Sequence, residues 1–494
     1  MKINPTIFRE YDIRGVAGIK FSEQEIRLYE KWYGPFPGVT ITLDVARAIG
    51  KGFGTDIRRR GGKEILVGHE MRPFADELTN AFISGIRSTG CNVTDLGVSL
   101  TPIVYFTVIH KSFDGGVNVT GSHNVYFFNG FKIMEKNARP IAGEELQKIR
   151  EMVEKEEWIS DKEGTYRSAD GYPAYKEYML DHIKLSRAFR VVIDCGNGSA
   201  GMFAPDLFRS LGCEVIELYT DPDARFPNHT PDPQYSQYCA DLEKKVLEAH
   251  ADLGIGFDAD GDRVGFVNEQ GKFVEADLTM LVFAKDVLSR FPGKKILYTV
   301  KSSQLPAELV PQYGGIPVMH RNGHAPIKET LLRDPGVVFA AEDTAHFFFA
   351  EDYFKIDDGL FAAAKLLEMM DRRQVPFSSL LEGIPERVRT PEIKLPCADE
   401  KKTEIVARIC ENLRGRFPSV LLDGIRIQVS ETGWGLIRQS NTAPYLSVRA
   451  EGASEAEVLK IKNILADELE KFPAIMDRLN RSAVATLTGK LGWV

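Results

Sequence analysis

Leu253-Gly254-Ile255-Gly256-Phe257-Asp258-Ala259-Asp260-Gly261-Asp262-Arg263-Val264-Gly265-Phe266-Val267 sets three carboxylates at alternate positions between two apolar runs. The segment reads as strand, acidic loop, strand. In an extended backbone, alternation puts Asp258, Asp260 and Asp262 on one side, and three crowded anions require a cation among them. Carboxylate oxygens suit magnesium or calcium rather than zinc. A calcium loop of the helix-loop-helix type also carries Asp at these spacings, and Glu269 falls at its twelfth position. Such a loop needs glycine where Arg263 stands, and helices where these strands lie, so the pattern favours magnesium.

Short β-rich runs alternating with amphipathic stretches continue on both sides, the mark of α/β layers. Upstream, 64–67 and 116–119 read as strands and 74–86 as a helix. After a turn-rich stretch at 169–173 the cycle restarts, with strands at 190–194, 213–216 and 253–257 and helices from 204 and through 243–246. A third round passes through 295–298, 316–319 and 337–340. Beyond Pro385 a helix at 402–413, hairpin sequence at 420–449 and a helix at 455–470 suggest a different, α+β unit, with a partly helical tail after Pro473. The expectation is three similar mixed α/β domains, 1–168, 169–273 and 274–387, and a smaller domain at 388–494.

A chain of 494 residues is too long for one core, which agrees with several domains. The net charge of -8 argues against nucleic acid or an anionic membrane surface as partner. No apolar run approaches a bilayer span, and the polar residues around Arg9 and Asp12 show no secretory signal. The six cysteines form no CxxC pair, so they read as reduced, and a cytoplasmic enzyme is expected.

Val119-Thr120-Gly121-Ser122-His123-Asn124 also follows a strand, with Asn129-Gly130-Phe131-Lys132 just beyond. A serine here is either a surface residue or a nucleophile. His123 and Lys132 add groups that stabilise phosphate or move protons. No G-x-S-x-G elbow and no Ser-His-Asp order is present, which disfavours acyl transfer. Phosphoryl transfer needs a nucleophile, a divalent metal and cations around the phosphate, and the first two are present. Asp194-Cys195-Gly196-Asn197-Gly198 misses the dinucleotide spacing, because the next glycine is Gly201.

Together these loops resemble the α-D-phosphohexomutase superfamily, in its phosphomannomutase/phosphoglucomutase branch. Further matches in family order are Phe8-Arg9-Glu10-Tyr11-Asp12-Ile13-Arg14-Gly15, Phe226-Pro227-Asn228-His229-Thr230-Pro231-Asp232-Pro233, Lys301, Arg321-Asn322-Gly323-His324 with Lys328, Ala341-Glu342-Asp343-Thr344-Ala345-His346 and Arg438-Gln439-Ser440-Asn441-Thr442. The resemblance implies four domains around a central cleft, the last similar to the TATA-binding protein. It implies a phosphoserine at Ser122, and magnesium on Ser122, Asp258, Asp260 and Asp262. Lys132, His123 and His324 are then the acid–base candidates, with their division of labour open. Substrate contacts fall to Tyr11, Arg14, Arg263, Lys301, Glu342, Thr344, His346, Arg438, Ser440, Asn441 and Thr442. The implied reaction exchanges hexose 1-phosphate and 6-phosphate through a hexose 1,6-bisphosphate, which also serves as activator. Mannose or glucose is the expected hexose, with glucosamine phosphate, a phosphatase and a non-catalytic sugar-phosphate binder as alternatives. The chain departs from the family pattern at Val125, usually Pro; at Ala341 and Ala345, usually Gly; at Thr344, usually Ser; and at Ala443, usually Glu. An alanine where the loop needs positive φ would strain it.

Overall fold

The computed structural model describes residues 3–18, 20–33, 35–441 and 444–476, and the expected tail beyond 476 lies outside them. Among the described residues the strands form four sheets. In the first, Glu64–His69 pairs in parallel with Asn92–Val98 and Gly115–Val119, and Gly115–Val119 turns back antiparallel on Phe128–Glu135. In the second, Arg190–Asp194 lies parallel to Glu214–Leu218 and Leu253–Phe257, and Leu253–Phe257 turns back on Val264–Asn268. In the third, Lys295–Thr299 lies parallel to Ile316–His320 and Val337–Ala341, and Val337–Ala341 turns back on Phe347–Phe349.

One plan is therefore used three times: a parallel centre whose last strand hands over through a loop to an antiparallel neighbour. The three handover loops are the segments that carry Ser122, the three aspartates, and Glu342 with Thr344. Each leaves the carboxyl end of a parallel strand, where open α/β sheets gather ligands. The handover strands are buried along their whole length, which is why they read as near-continuous apolar runs.

The fourth sheet is antiparallel, built on Gly424–Gln428, Trp434–Gln439 and Tyr445–Gly452, with helices Asp399–Arg414 and Glu455–Leu469 packed on it. One apolar core runs from Leu66 through Phe257 and Phe283 to Phe377 and joins the first three units, whereas the fourth has its own core from Ile393 to Ile475. Much of the junction between them is polar. Arg426 donates to the carbonyls of Val300 and Ser302 at 2.8 and 2.7 Å, and Arg449 Nη1 lies 2.6 Å from Asp343 Oδ2.

Helices Thr101–His110, Ala276–Arg290 and Gly359–Arg373 went unmarked by periodicity. They are wrapped by protein on nearly every side, so no polar face remains to alternate with an apolar one. Among the described residues no helix is long and apolar enough to cross a membrane.

Candidate functional site

The Ser122 loop leaves the Gly115–Val119 strand and reverses at Ser122, whose φ is 51°. A left-handed serine needs outside support, and a buried pair that the sequence reading missed supplies it. Glu70 Oε1 accepts the Ser122 N–H at 3.1 Å, the Thr120 hydroxyl at 2.7 Å and the Gly121 N–H. Arg72 donates to the carbonyls of Asn124 and Val125 at 2.7 Å, of Phe128 at 3.1 Å, and of Ser122. A Cβ on Gly121 would stand 2.4 Å from the Arg72 guanidinium, so only glycine fits there. Ser122 Oγ thereby reaches Asp258 Oδ2 at 3.3 Å and His123 Nδ1 at 3.2 Å. Burial, with the charge of Arg263, holds the His123 imidazole well below its usual pKa, and therefore neutral.

The acidic loop is a turn rather than the expected extended run. Gly261, at φ 74°, donates to the Asp258 carbonyl at 3.2 Å. The aspartates converge because the backbone folds over, not through strand alternation. Their carboxylate oxygens lie within 4.8 Å of one another and all three residues are fully buried. Asp260 Oδ1 meets no hydrogen-bond donor among the described residues, although it is out of solvent. A hard cation suits such a donor set. Glu269 accepts the Ser378 hydroxyl instead, and strands flank the loop, which removes the calcium-loop reading. Lys132 Nζ bonds Asp260 Oδ2 at 2.9 Å and also Asp262; burial alone would lower its pKa, but these carboxylates raise it.

The cleft above encloses a cavity of about 200 Å³. Its walls bring together Tyr11, Arg14, Ser122, His123, Lys132, Arg263, Lys301, His324, Glu342, Thr344, His346, Arg438, Ser440 and Asn441, while the three aspartates lie beneath. Thr442 and Ala443 lie outside the described residues. Arg14 donates to the Thr120 carbonyl. Tyr11 donates to the Asn322 carbonyl at 2.5 Å and accepts from Asn441 Nδ2 at 2.6 Å, so one phenol ties three units together. His324 Nε2 lies 3.4 Å from Asp12 Oδ1, and its Nδ1 meets no hydrogen-bond partner among the described residues. Lys328, by contrast, is buried against Asp357 at 2.7 Å, away from the cleft walls.

In the loop of residues 341–346, Glu342 Oε1 accepts the Gly323 N–H at 2.7 Å, and Oε2 lies 3.0 Å from His346 Nδ1. Thr344 Oγ1 is 3.3 Å from His346 Nδ1. Burial would lower the His346 pKa, but Asp262 and Glu342 carry it up to about 9. Ala345 stands at φ 68°, so one of the two alanines does occupy a left-handed position; Ala341 lies in a strand. Arg438, which lines the same cavity, has Nε and Nη2 buried without a hydrogen-bond partner among the described residues, and Nη2 lies 3.8 Å from Asp423 Oδ2. Lys394 and Tyr445 line the same wall and were missed, since no local pattern distinguishes them from ordinary strand residues.

Models of four phosphoglucomutase/phosphomannomutase domains match successive parts of the chain: alpha/beta/alpha domains I, II and III at residues 5–160, 173–271 and 275–388, and the C-terminal domain at 392–468. The chain is 37% identical over 466 residues to a phosphomannomutase/phosphoglucomutase of Pseudomonas aeruginosa, covering 94% of this chain and 96% of that one. It is 34% identical over 480 residues to a phosphoglucomutase of Neisseria gonorrhoeae, covering 96% and 99%. The fold is similar to the crystal structure of a phosphoglucomutase/phosphomannomutase family protein from Burkholderia thailandensis, with a TM-score of 0.84 at 35% identity, covering 95% and 98%.

Proposed function

The chain belongs to the phosphoglucomutase/phosphomannomutase family, and from that premise we infer that it moves phosphate between C1 and C6 of a hexose through a phosphoserine at Ser122. The observation that carries this reading is one cleft with two unlike ends. At one end Ser122 Oγ lies 3.3 Å from Asp258; at the other Arg438 Nε and Nη2 are buried without a hydrogen-bond partner among the described residues, Nη2 lying 3.8 Å from Asp423.

Asp258, Asp260 and Asp262 would hold magnesium, which polarises the phosphoryl group and spreads its charge. Arg438, with Ser440, Asn441 and Lys394 beside it, anchors the phosphate already on the sugar, arginine's planar fork matching two oxygens. Glu342 and Thr344 orient the ring through its hydroxyls. The free hydroxyl attacks phosphorus as the Ser122 Oγ–P bond breaks, its proton passing to a cleft base while the serine oxygen takes a proton from a cleft acid. His123, 3.2 Å from Ser122 Oγ, stands where it can exchange a proton with the serine oxygen, and Lys132 and His324 are the other acid–base candidates. The hexose 1,6-bisphosphate then turns over and returns its other phosphate to Ser122.

The test is conversion of glucose 1-phosphate and mannose 1-phosphate to their 6-phosphates, with magnesium and a trace of hexose 1,6-bisphosphate. Wild-type turnover that is nearly lost in Ser122→Ala is expected, and the rate ratio identifies the preferred hexose. Undiminished turnover in Ser122→Ala would sink the phosphoserine assignment.

A further inference from the structure

Residues 17–42 connect the Ile13–Val16 strand to the Leu43–Arg59 helix and carry a helix of their own, Glu23–Tyr33. Such connections in α/β units ordinarily take about 2–6 residues, so a longer one with its own helix calls for a role. None of the motifs that lead to Ser122 or the aspartates lies in it. The segment packs on Tyr126-Phe127-Phe128, the run that leaves the nucleophile loop. The Tyr29 ring stacks on Phe128 at 5.8 Å and 25°, and it also meets Phe36 at 5.3 Å and Phe127 at 6.2 Å. Tyr126 donates to Glu25 Oε1 at 2.5 Å, pinning the helix to the loop. Tyr29 and Phe128 line the same cleft as Ser122 and Arg9, and Arg9 reaches across to Asp399 of the fourth unit at 3.0 Å.

We propose that Tyr29 is a water-excluding residue of the site: its ring, stacked on Phe128, closes the side of the cleft next to Ser122, so that the hydroxyl reaching the phosphoserine belongs to a sugar. The inference rests on the phosphoserine reading above. The competing reaction is hydrolysis. Water oxygen bonds to phosphorus as the Ser122 Oγ–P bond breaks, the water's proton goes to the serine oxygen, and inorganic phosphate leaves. It differs from the mutase step only in whose hydroxyl attacks, so excluding water from the closed site decides between the two.

The experiment uses full-length protein phosphorylated with glucose 1,6-bisphosphate. It compares inorganic phosphate release with mutase turnover in wild type, Tyr29→Ala, Tyr29→Phe and Glu25→Gln. Tyr29→Ala raises the ratio of release to turnover about tenfold, an ordinary barrier change for one lost wall. Glu25→Gln, which loosens the helix from Tyr126, raises it in the same direction, and Tyr29→Phe, which keeps the ring, restores the low ratio. A purely structural role would lower both rates together and leave the ratio alone. An unchanged ratio in Tyr29→Ala, or an equal rise in Tyr29→Phe, overturns the proposal. The two readings fail separately: the mutase reading fails in the wild type, if no phosphate moves between C1 and C6, and the wall fails in the variant-to-wild-type ratio.

Discussion

Arg72 Nε donates to Glu70 Oε1 at 2.6 Å, and both side chains are wholly out of solvent. Between them they hold the backbone on both sides of Ser122, the carboxylate taking N–H groups and the guanidinium taking carbonyls. Removing one member leaves a buried charge alone, which costs about 3–5 kcal/mol. Arg72→Met should therefore lower the urea midpoint strongly, and the double variant Glu70→Leu/Arg72→Met should lose less than the two single losses combined. Additive losses would show that the two side chains act independently.

The two loop alanines should respond unequally to glycine. Ala345, at φ 68°, gains about 1–2 kcal/mol of relief from left-handed strain. It forfeits about 0.8 kcal/mol of methyl burial and a similar amount of glycine chain entropy, so Ala345→Gly should be nearly neutral. Ala341, buried in a strand, has no strain to relieve, and Ala341→Gly should cost about 1.5 kcal/mol. Equal unfolding free energies for the two variants would refute the assignment of strain to Ala345.

Asp358 gives stability a pH dependence of unusual sign. Burial pushes its carboxyl up to about 7 from 3.8, although the Phe361 N–H at 2.9 Å and the Tyr353 hydroxyl at 2.8 Å oppose the shift. The folded state holds this proton more tightly than the unfolded chain. The contribution is thus fully present below about 3.8 and is lost as pH rises through about 7, on the order of 1 kcal/mol per pH unit between. Asp358→Asn keeps a helix cap and carries no charge. Urea midpoints at about pH 5 and about pH 8 should differ less in this variant than in wild type. A wild-type-like pH slope in the variant would place the titrating group elsewhere.

Metal binding should be visible without activity. Burial, then the charges of Asp262 and Asp260, push the Asp258 carboxyl well above the usual carboxylate range. Magnesium should raise Tm in the wild type, EDTA should abolish the rise, and Asp258→Asn should show none. Without metal, Asp258→Asn should be at least as stable as wild type, because the folded chain no longer has to keep a proton on a carboxyl that is ionised when unfolded. A less stable metal-free variant would mean that the three carboxylates do not crowd one another.

Asp343 Oδ2, 2.6 Å from Arg449 Nη1 and 3.4 Å from Lys301 Nζ, ties the loop of residues 341–346 to the fourth unit. Arg449→Met should raise KM for the sugar phosphate several-fold while leaving magnesium affinity, read by thermal shift, unchanged, since the two parts of the cleft would lose registry. A changed magnesium midpoint would place the effect at the acidic loop instead.

What the sequence determined alone was what is written locally. Asp258, Asp260 and Asp262 sit within five consecutive residues after an apolar strand, so polarity and spacing suffice to find them, whereas Ser122 and Arg438-Gln439-Ser440-Asn441 stand out through short stretches that resemble a family pattern. The handover strands are legible for a related reason: buried on both faces, they are apolar but for Asn118. Tertiary structure alone decided which distant groups meet. Glu70 reaches Ser122 across 52 positions, and Arg449 reaches Asp343 across 106. Neither contact leaves a trace in nearby residues, because it arises when separately folded strands and helices pack. The turn at Gly261 and the left-handed Ala345 belong here too: backbone preference permits several shapes for a short loop, and the surrounding core selects one.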